Sequence, residues 1–559
     1  RIPGFLGGTL AVLSPARTMA TDDPTANSGK RDGWKLVLGV SMLWGLPLGL
    51  LRFPPMVDYP QQLALAAILR WYSDPARRFR ATYELALGAP HGLWKLAVAG
   101  LAWALPIEAA GRLAVALSLA AVGPAALFLC RRTGRPAGYA LLALALTYNY
   151  AFFWGFVDNL LAFPLTLAGL ALADRLFEQP FTARSWLALA LVTALFYTVH
   201  LQFLLIFAGA VGWLALARSP GWRRSSLWLS ALLPGLAVSL GVMSFAIFRA
   251  PTGVVSDYER RLRGVESIRY PLWVKLAQLP DLLFGAHPDG SGWLLMALLL
   301  ALSALVVAGR ERPVSGETES LRELLFRTRF ATLAGWLGLL YLLAPHYSRS
   351  YLIAERIAPL AAMVAVVALP APAAPRRRLV VFLGAALLVL QLGQIFAGFL
   401  RFGRESAGLE ELLAPAEPGQ NLAGLIFDRG SAAFRGMPFY LHFPAYYQVE
   451  KGGRILFSFA ELFHTSARFR PGQSWEDLLA EWNEWKPRSF DYRRHAARFR
   501  YFLVRGGAAD VSGAFGPDLA RLGLSARRAG EWWWIEPLPA PPAGTAAQRT
   551  GESATGVSR

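Results

Sequence analysis

The chain has a single cysteine, Cys130, and it lies inside an apolar run. An intrachain disulfide and a cysteine-based metal site are thereby excluded, and thiol usage carries no information about compartment. Charge is scarce as well. Asp, Glu, Lys and Arg make up 17% of the 559 residues, 55% are apolar, and mean hydropathy is +0.37. Soluble domains carry about a quarter charged residues, so these values exclude a soluble domain of this length and fit a multi-span membrane protein. Acids are the scarcer sign, 37 against 56 Lys and Arg, giving a formal charge of +19. That excess does not point to nucleic acid, because no basic helix or aromatic-basic face stands out. A P-loop, a GxGxxG between strand and helix, HExxH, GxSxG and any solenoid repeat are also absent.

What is present is a series of apolar runs, at about 34–51, 108–130, 137–153, 159–177, 185–200, 201–217, 227–248, 291–308, 329–345, 355–369 and 379–400. Several fall short of the roughly 20 residues a straight span needs, which predicts tilted or broken helices. The stretch 185–217 divides into two short helices turning near His200, and "HGLWKLAVAGLAWAL" is short enough to lie along the interface. With Lys30, Arg31 and Lys35 on the cytoplasmic side, eleven spans place "RRTGR", "DRLFEQPFTAR", "RSPGWRR", "RERPVSGETESLRELLFRTR" and "PAPAAPRRR" there too. All are rich in arginine, as the positive-inside rule requires. The other side then receives residues 52–107, "WGFVDN", the turn at His200, residues 249–290, "APHYSRSYL" and everything after 400.

After Leu400 the composition changes. "NLAGLIFD", "GRILFSFAE", "RYFLVRGG" and "WWWIEPL" read as short strands; "SWEDLLAEWNEWK" and "PDLARLGLSA" read as helices. The expected organisation is a transmembrane domain over 31–400, a small external α/β domain over 401–540, and a disordered tail from 541. Residues 1–30 are set apart as an uncertain, disordered N-terminus. The chain opens on Arg, Met19 begins "MATDDPTANSGKRDGWK", and the residues before it are expected to be an upstream translation artefact.

In so apolar a chain the few charges carry the chemistry. Asp58, in "RFPPMVDYPQQLALAAIL", stands just past the first run. An acid there is commonly just solvated at headgroup level. Here two prolines fix the backbone, and the amphipathic pattern that follows suits a helix in the interface plane, holding Asp58 at the bilayer surface as a general base. Asp158 and Asn159 interrupt an apolar stretch of some forty residues. A carboxylate at bilayer depth costs about 2.5–3.5 kcal/mol, so it faces a cavity or a partner unless it only caps a turn. His200 sits at a proposed turn, where a backbone-bonded histidine is the commoner outcome. His91 and Lys95 are four apart, on one helical face. His346, Arg349, Glu355 and Arg356 cluster before a late run, Arg349 and Arg356 seven apart, and arginines so placed touch headgroups or bind a phosphate bidentately. Acids, arginines and an interfacial helix on one face suit the attack of an acceptor hydroxyl on a sugar whose leaving group is a lipid phosphate.

The order and sidedness of these segments resemble the GT-C superfamily of integral-membrane glycosyltransferases, in particular the bacterial branch similar to protein mannosyltransferases and the aminoarabinose transferase of lipid A. "PPMVDYPQQLALA" resembles its first-loop acid motif, "WGFVDNLLAFPLTLAGLAL" its second acidic loop, and "YLIAERIAPL" its late arginine segment. "APHGLWKL" is similar to its His-Pro-Pro-x-x-Lys segment without the prolines, and Asp58 lacks the flanking acid that stronger motifs carry. The resemblance covers about 34–400. It implies a mainly α polytopic bundle of about 11 spans with a small external α/β domain, in the bacterial inner membrane. It gives the base role to Asp58, a supporting role to Asp158, and carrier-phosphate contacts to Lys95 and Arg356, with Arg349 beside them and His91, Asn159, His200 and His346 as further candidates. The partners implied are a polyprenyl-phosphate sugar donor, an envelope lipid, glycan or protein acceptor, and membrane lipids. Some branches use a divalent metal, and nothing in these residues calls for one. Two other readings are a transporter or flippase of lipid-linked sugars, which would show mid-bilayer charges and internal repeats, and a non-catalytic envelope-assembly protein on the same scaffold.

Overall fold

The computed structural model of the chain describes residues 24–218, 222–249, 267–285, 287–309, 320–347, 352–462 and 465–538. Among them, six helices are long and apolar enough to cross a membrane: Ile107–Arg132, Val157–Leu176, Leu201–Arg218, Arg223–Val242, Ser291–Ala308 and Ala374–Glu405. The other five apolar runs take different forms. Pro24–Trp44 begins ahead of its run, among polar residues, and Leu321–Leu343 carries charge in its first half. Ala183–Val199 and Ile353–Ala368 are short. The run at 137–153 is broken into Gly138–Ala145 and Tyr150–Trp154. Asn149 breaks it: its Oδ1 accepts from Ala151 and Phe152 N–H while its Nδ2 donates to Leu146 O at 2.7 Å, so one side chain closes both helix ends. At His200 the backbone is extended and separates two helices, as the sequence pattern predicted.

One end of the bundle is tied by a fully buried acid. Asp174 accepts from Arg132 Nε at 2.9 Å, Arg218 Nε at 3.0 Å and Arg329 Nε at 2.7 Å. Arg132 and Arg218 are the last residues of the helices Val122–Arg132 and Leu201–Arg218, and Arg329 comes from the interior of Leu321–Leu343. Their connections are the ones the charge pattern assigns to the cytoplasmic side.

The opposite end carries the C-terminal α/β part. Its five-stranded sheet runs in the order Arg454–Ile455, Asn421–Ile426, Tyr501–Arg505, Trp532–Pro537, Leu524–Ala529, the first two contacts parallel and the last two antiparallel. Two expectations are corrected here. "PDLARLGLSA" is no helix: Gly523 at φ +69 ends a single 3-10 turn, and Leu524–Ala529 runs on as an edge strand. Gly530 at φ +59 turns it tightly into "WWWIEP", with Ala529 paired to Trp532. The strand expected in "GRILFSFAE" is only two residues long.

Aromatic stacking docks this part on the bundle. Phe402 of the long helix Arg377–Glu405 stacks on Tyr440 at 5.2 Å, and Phe53, past the first helix, meets Tyr446 with ring centroids 4.4 Å apart. The same helix ends in Glu405, which accepts from Ser431 Oγ (2.6 Å), Tyr440 OH (3.1 Å) and Ala433 N–H (2.8 Å). Arg52, just past the first helix, gathers Glu108 at 3.2 Å, Glu450 at 3.0 Å and Glu410. Burial pushes the Glu450 carboxyl up to about 7 against the pull of Arg52, with Glu108 adding to the rise.

Candidate active site

Met56 N–H closes a turn on Pro54 O at 2.8 Å, and the next two amides leave the local chain. Val57 N–H bonds Phe153 O at 3.0 Å and Asp58 N–H bonds Trp154 O at 2.9 Å. The two acidic loops singled out in the sequence are therefore joined backbone to backbone. Gly155 makes the approach possible: at φ +83, a Cβ there would sit 2.7 Å from both Asp58 N and Tyr59 N. Asp58 then opens the helix Tyr59–Arg70, yet its side chain makes no capping bond. The carboxylate, 13% exposed, is held in place by backbone and left free for other contacts.

Asp158 lies in the first turn of Val157–Leu176 and meets Lys95 of the short helix Leu93–Leu101, Nζ to Oδ2 at 2.6 Å, both side chains buried. Lys95 also donates to His91 O. His91 Nδ1 is 3.2 Å from Val199 O, and its ring stands edge-on to His200 at 4.6 Å. His200 Nε2 in turn lies 3.0 Å from Arg356 Nη1. A guanidinium only donates, so Nε2 is the acceptor and His200 is the neutral Nδ1–H tautomer. Arg356 lies over the Phe156 ring at 3.9 Å and feels the charges of Asp58, Asp158 and Glu355. Asp158 Oδ1 and both polar atoms of the Asn159 side chain are buried with no hydrogen-bond partner among the described residues, the condition of groups that lack only a polar ligand.

The structure thus brings together Asp58, Asp158, Asn159, His91, Lys95, His200 and Arg356. Arg349 lies outside the described residues, as does the side chain of His346, whose backbone pairs with Ile268. Among the described residues no three His, Cys, Asp or Glu side chains gather as a metal site. Two residues the sequence did not single out complete the surroundings. Gln61, one turn on from Asp58, donates to Phe457 O at 2.9 Å and accepts from Phe459 N–H at 3.1 Å. His442 places Nδ1 3.2 Å from Asp58 Oδ1.

The chain is similar to ArnT. The solved structures concerned are those of ArnT from Cupriavidus metallidurans bound to undecaprenyl phosphate, at 14% identity and a TM-score of 0.47, and in the apo state, at 15% and 0.49. Each alignment covers 90% of this chain and 98% of the ArnT chain. No family model and no curated protein matches the sequence.

Proposed function

We propose that the chain is a membrane glycosyltransferase that moves a sugar from a polyprenyl-phosphate donor to an envelope acceptor on the extracytoplasmic face, with inversion. The observation that carries this reading is the buried Lys95–Asp158 pair, set in one charge cluster with Arg356 and Asp58. A lysine and an arginine gathered in one buried cluster suit a phosphate that stays attached to its lipid, since both are hydrogen-bond donors that carry positive charge. Asp158 orients Lys95. Asp58, free of capping duty, takes the acceptor's proton as its oxygen attacks the anomeric carbon from the face opposite the leaving phosphate. Lys95 and Arg356 stabilise the charge that gathers on that phosphate as its bond to the sugar breaks.

The test is transfer of labelled sugar from a mixture of polyprenyl-phosphate sugars to envelope acceptors by the purified chain in nanodiscs. Lys95→Met is expected to lower kcat/KM by about 10²-fold, because a charged contact formed in a dry site is lost. Wild-type kcat/KM in that variant would remove the phosphate role, and a wild type that transfers no sugar from any of these donors would end the reading. Gly155→Ala probes the junction of the two acidic loops. Its methyl group meets the Asp58 backbone and displaces it, and a displacement on the order of 1 Å at a reacting group lowers rate by about 10²-fold. Unchanged activity in that variant would mean that Asp58 does not depend on this contact.

A further inference from the structure

We infer that His442, from the C-terminal part, is a positioning residue for Asp58, forming with it an imidazole–carboxylate dyad that aims the carboxylate at the acceptor hydroxyl. The inference rests on the proposed base role of Asp58. His442 Nδ1 lies at ion-pair distance, 3.2 Å, from Asp58 Oδ1, both side chains are largely buried, and Nδ1 makes no hydrogen bond among the described residues, so the ring is uncommitted and can turn its N–H onto that oxygen. The ring is walled by Phe457 and Phe459, each with its centroid 5.5 Å away. Those walls are set by the helix that Asp58 begins, because Gln61 bonds Phe457 O and Phe459 N–H from one turn further on. Five contacts thus close a ring from Asp58 through Gln61 and the 457–459 loop to His442 and back to Asp58. That closure fixes the imidazole against the carboxylate more tightly than either loop does alone.

A carboxylate that accepts an N–H on one oxygen is kept in its anionic form and has its other oxygen aimed. In the reaction, the acceptor O–H breaks, its proton passes to Asp58, the new bond forms at the anomeric carbon, and the bond to the carrier phosphate breaks. His442 keeps its own proton throughout. The C-terminal part is then a component of the active site and not only a cover for it.

Two measurements on full-length protein test this. In sugar transfer, His442→Phe is expected to lower kcat by about 10–100-fold with KM changed less than about threefold, whereas His442→Asn, whose amide nitrogen reaches the position of Nδ1, recovers most of the loss. Independently of activity, Asp58 is modified with a hydrophobic carbodiimide, which attacks the protonated acid, and followed by mass spectrometry at one fixed pH. His442→Phe is expected to accelerate this modification by about tenfold and His442→Asn to return it near the wild-type rate, with Glu405 in the same digests unchanged. Wild-type labelling of Asp58 in His442→Phe overturns the dyad whether or not sugar is transferred. An equal rise at Asp58 and Glu405 overturns it as well, since that is undocking. A selective rise at Asp58 in a chain that transfers no sugar keeps the dyad and ends the glycosyltransferase reading instead.

Discussion

Asp58→Asn is expected to lower sugar transfer by about 10²–10⁴-fold while leaving donor KM within a few fold, the loss typical of removing a positioned general base. The substitution is nearly isosteric and keeps the Asp58 N–H bond to Trp154 O, so loop geometry survives. It also leaves the Lys95–Asp158 pair and Arg356 intact, so the phosphate is still held. What disappears is a site for the proton. Asp158 does not replace it, because its Oδ2 is committed to Lys95 at 2.6 Å. Steady-state kinetics on wild type and variant at equal reconstituted amounts decide the matter. More than a tenth of wild-type kcat in the variant would take the base role from Asp58. A large rise in KM at constant kcat would move Asp58 into substrate binding.

The second large effect is on stability. Asp174→Asn removes the one anion shared by Arg132, Arg218 and Arg329 and leaves their charges facing each other in a buried setting, with only Glu178 at the rim still paired to Arg132 and Arg218. Breaking a buried ion pair by removing one partner costs about 3–5 kcal/mol. For a chain of 559 residues a loss of that size corresponds to a fall in Tm of about 3–4 °C, and thermal unfolding followed by intrinsic fluorescence in detergent reads it. The change is far from the acids of the site, so kcat at low temperature stays near wild type. A Tm within about 1 °C of wild type would mean that the three arginines find water or lipid phosphate instead, and that the network does not hold the helices together.

The two acids of the site were legible because a carboxylate is conspicuous in an apolar chain, and the arginine-rich connections gave them a common side. Lys95 and Arg356 were legible for the same reason. His442 was not. Its surroundings, "MPFYLHFPAYY", have the composition of an aromatic core, and the partner that gives the histidine meaning is brought in only by the tertiary fold. Asp174 was hidden differently, at the start of a connection whose charges looked solvated. Only the convergence of arginines from three distant helices makes it a buried hub. The misread segment "PDLARLGLSA" has leucines at helical spacing. What overrides that spacing is the pair of left-handed glycines, Gly523 and Gly530, and a sheet edge offering hydrogen bonds to Leu524–Ala529. The break at Asn149 went unseen because a single polar residue in a long apolar run does not announce that it will cap one helix while closing another.

Because Gln61 bonds a loop 396 residues later in the chain, the catalytic arrangement is finished almost last during synthesis. At about 5–20 residues per second, the first acidic loop waits roughly 20–80 s for its final neighbours. Over that interval the bundle already offers its lipid-facing surface to the bilayer while Asp58 still lacks His442 and the Phe457–Phe459 wall. Under the proposed function, a chain cut short before residue 442 would therefore keep its helical bundle and lack the surroundings of Asp58 that glycosyl transfer needs.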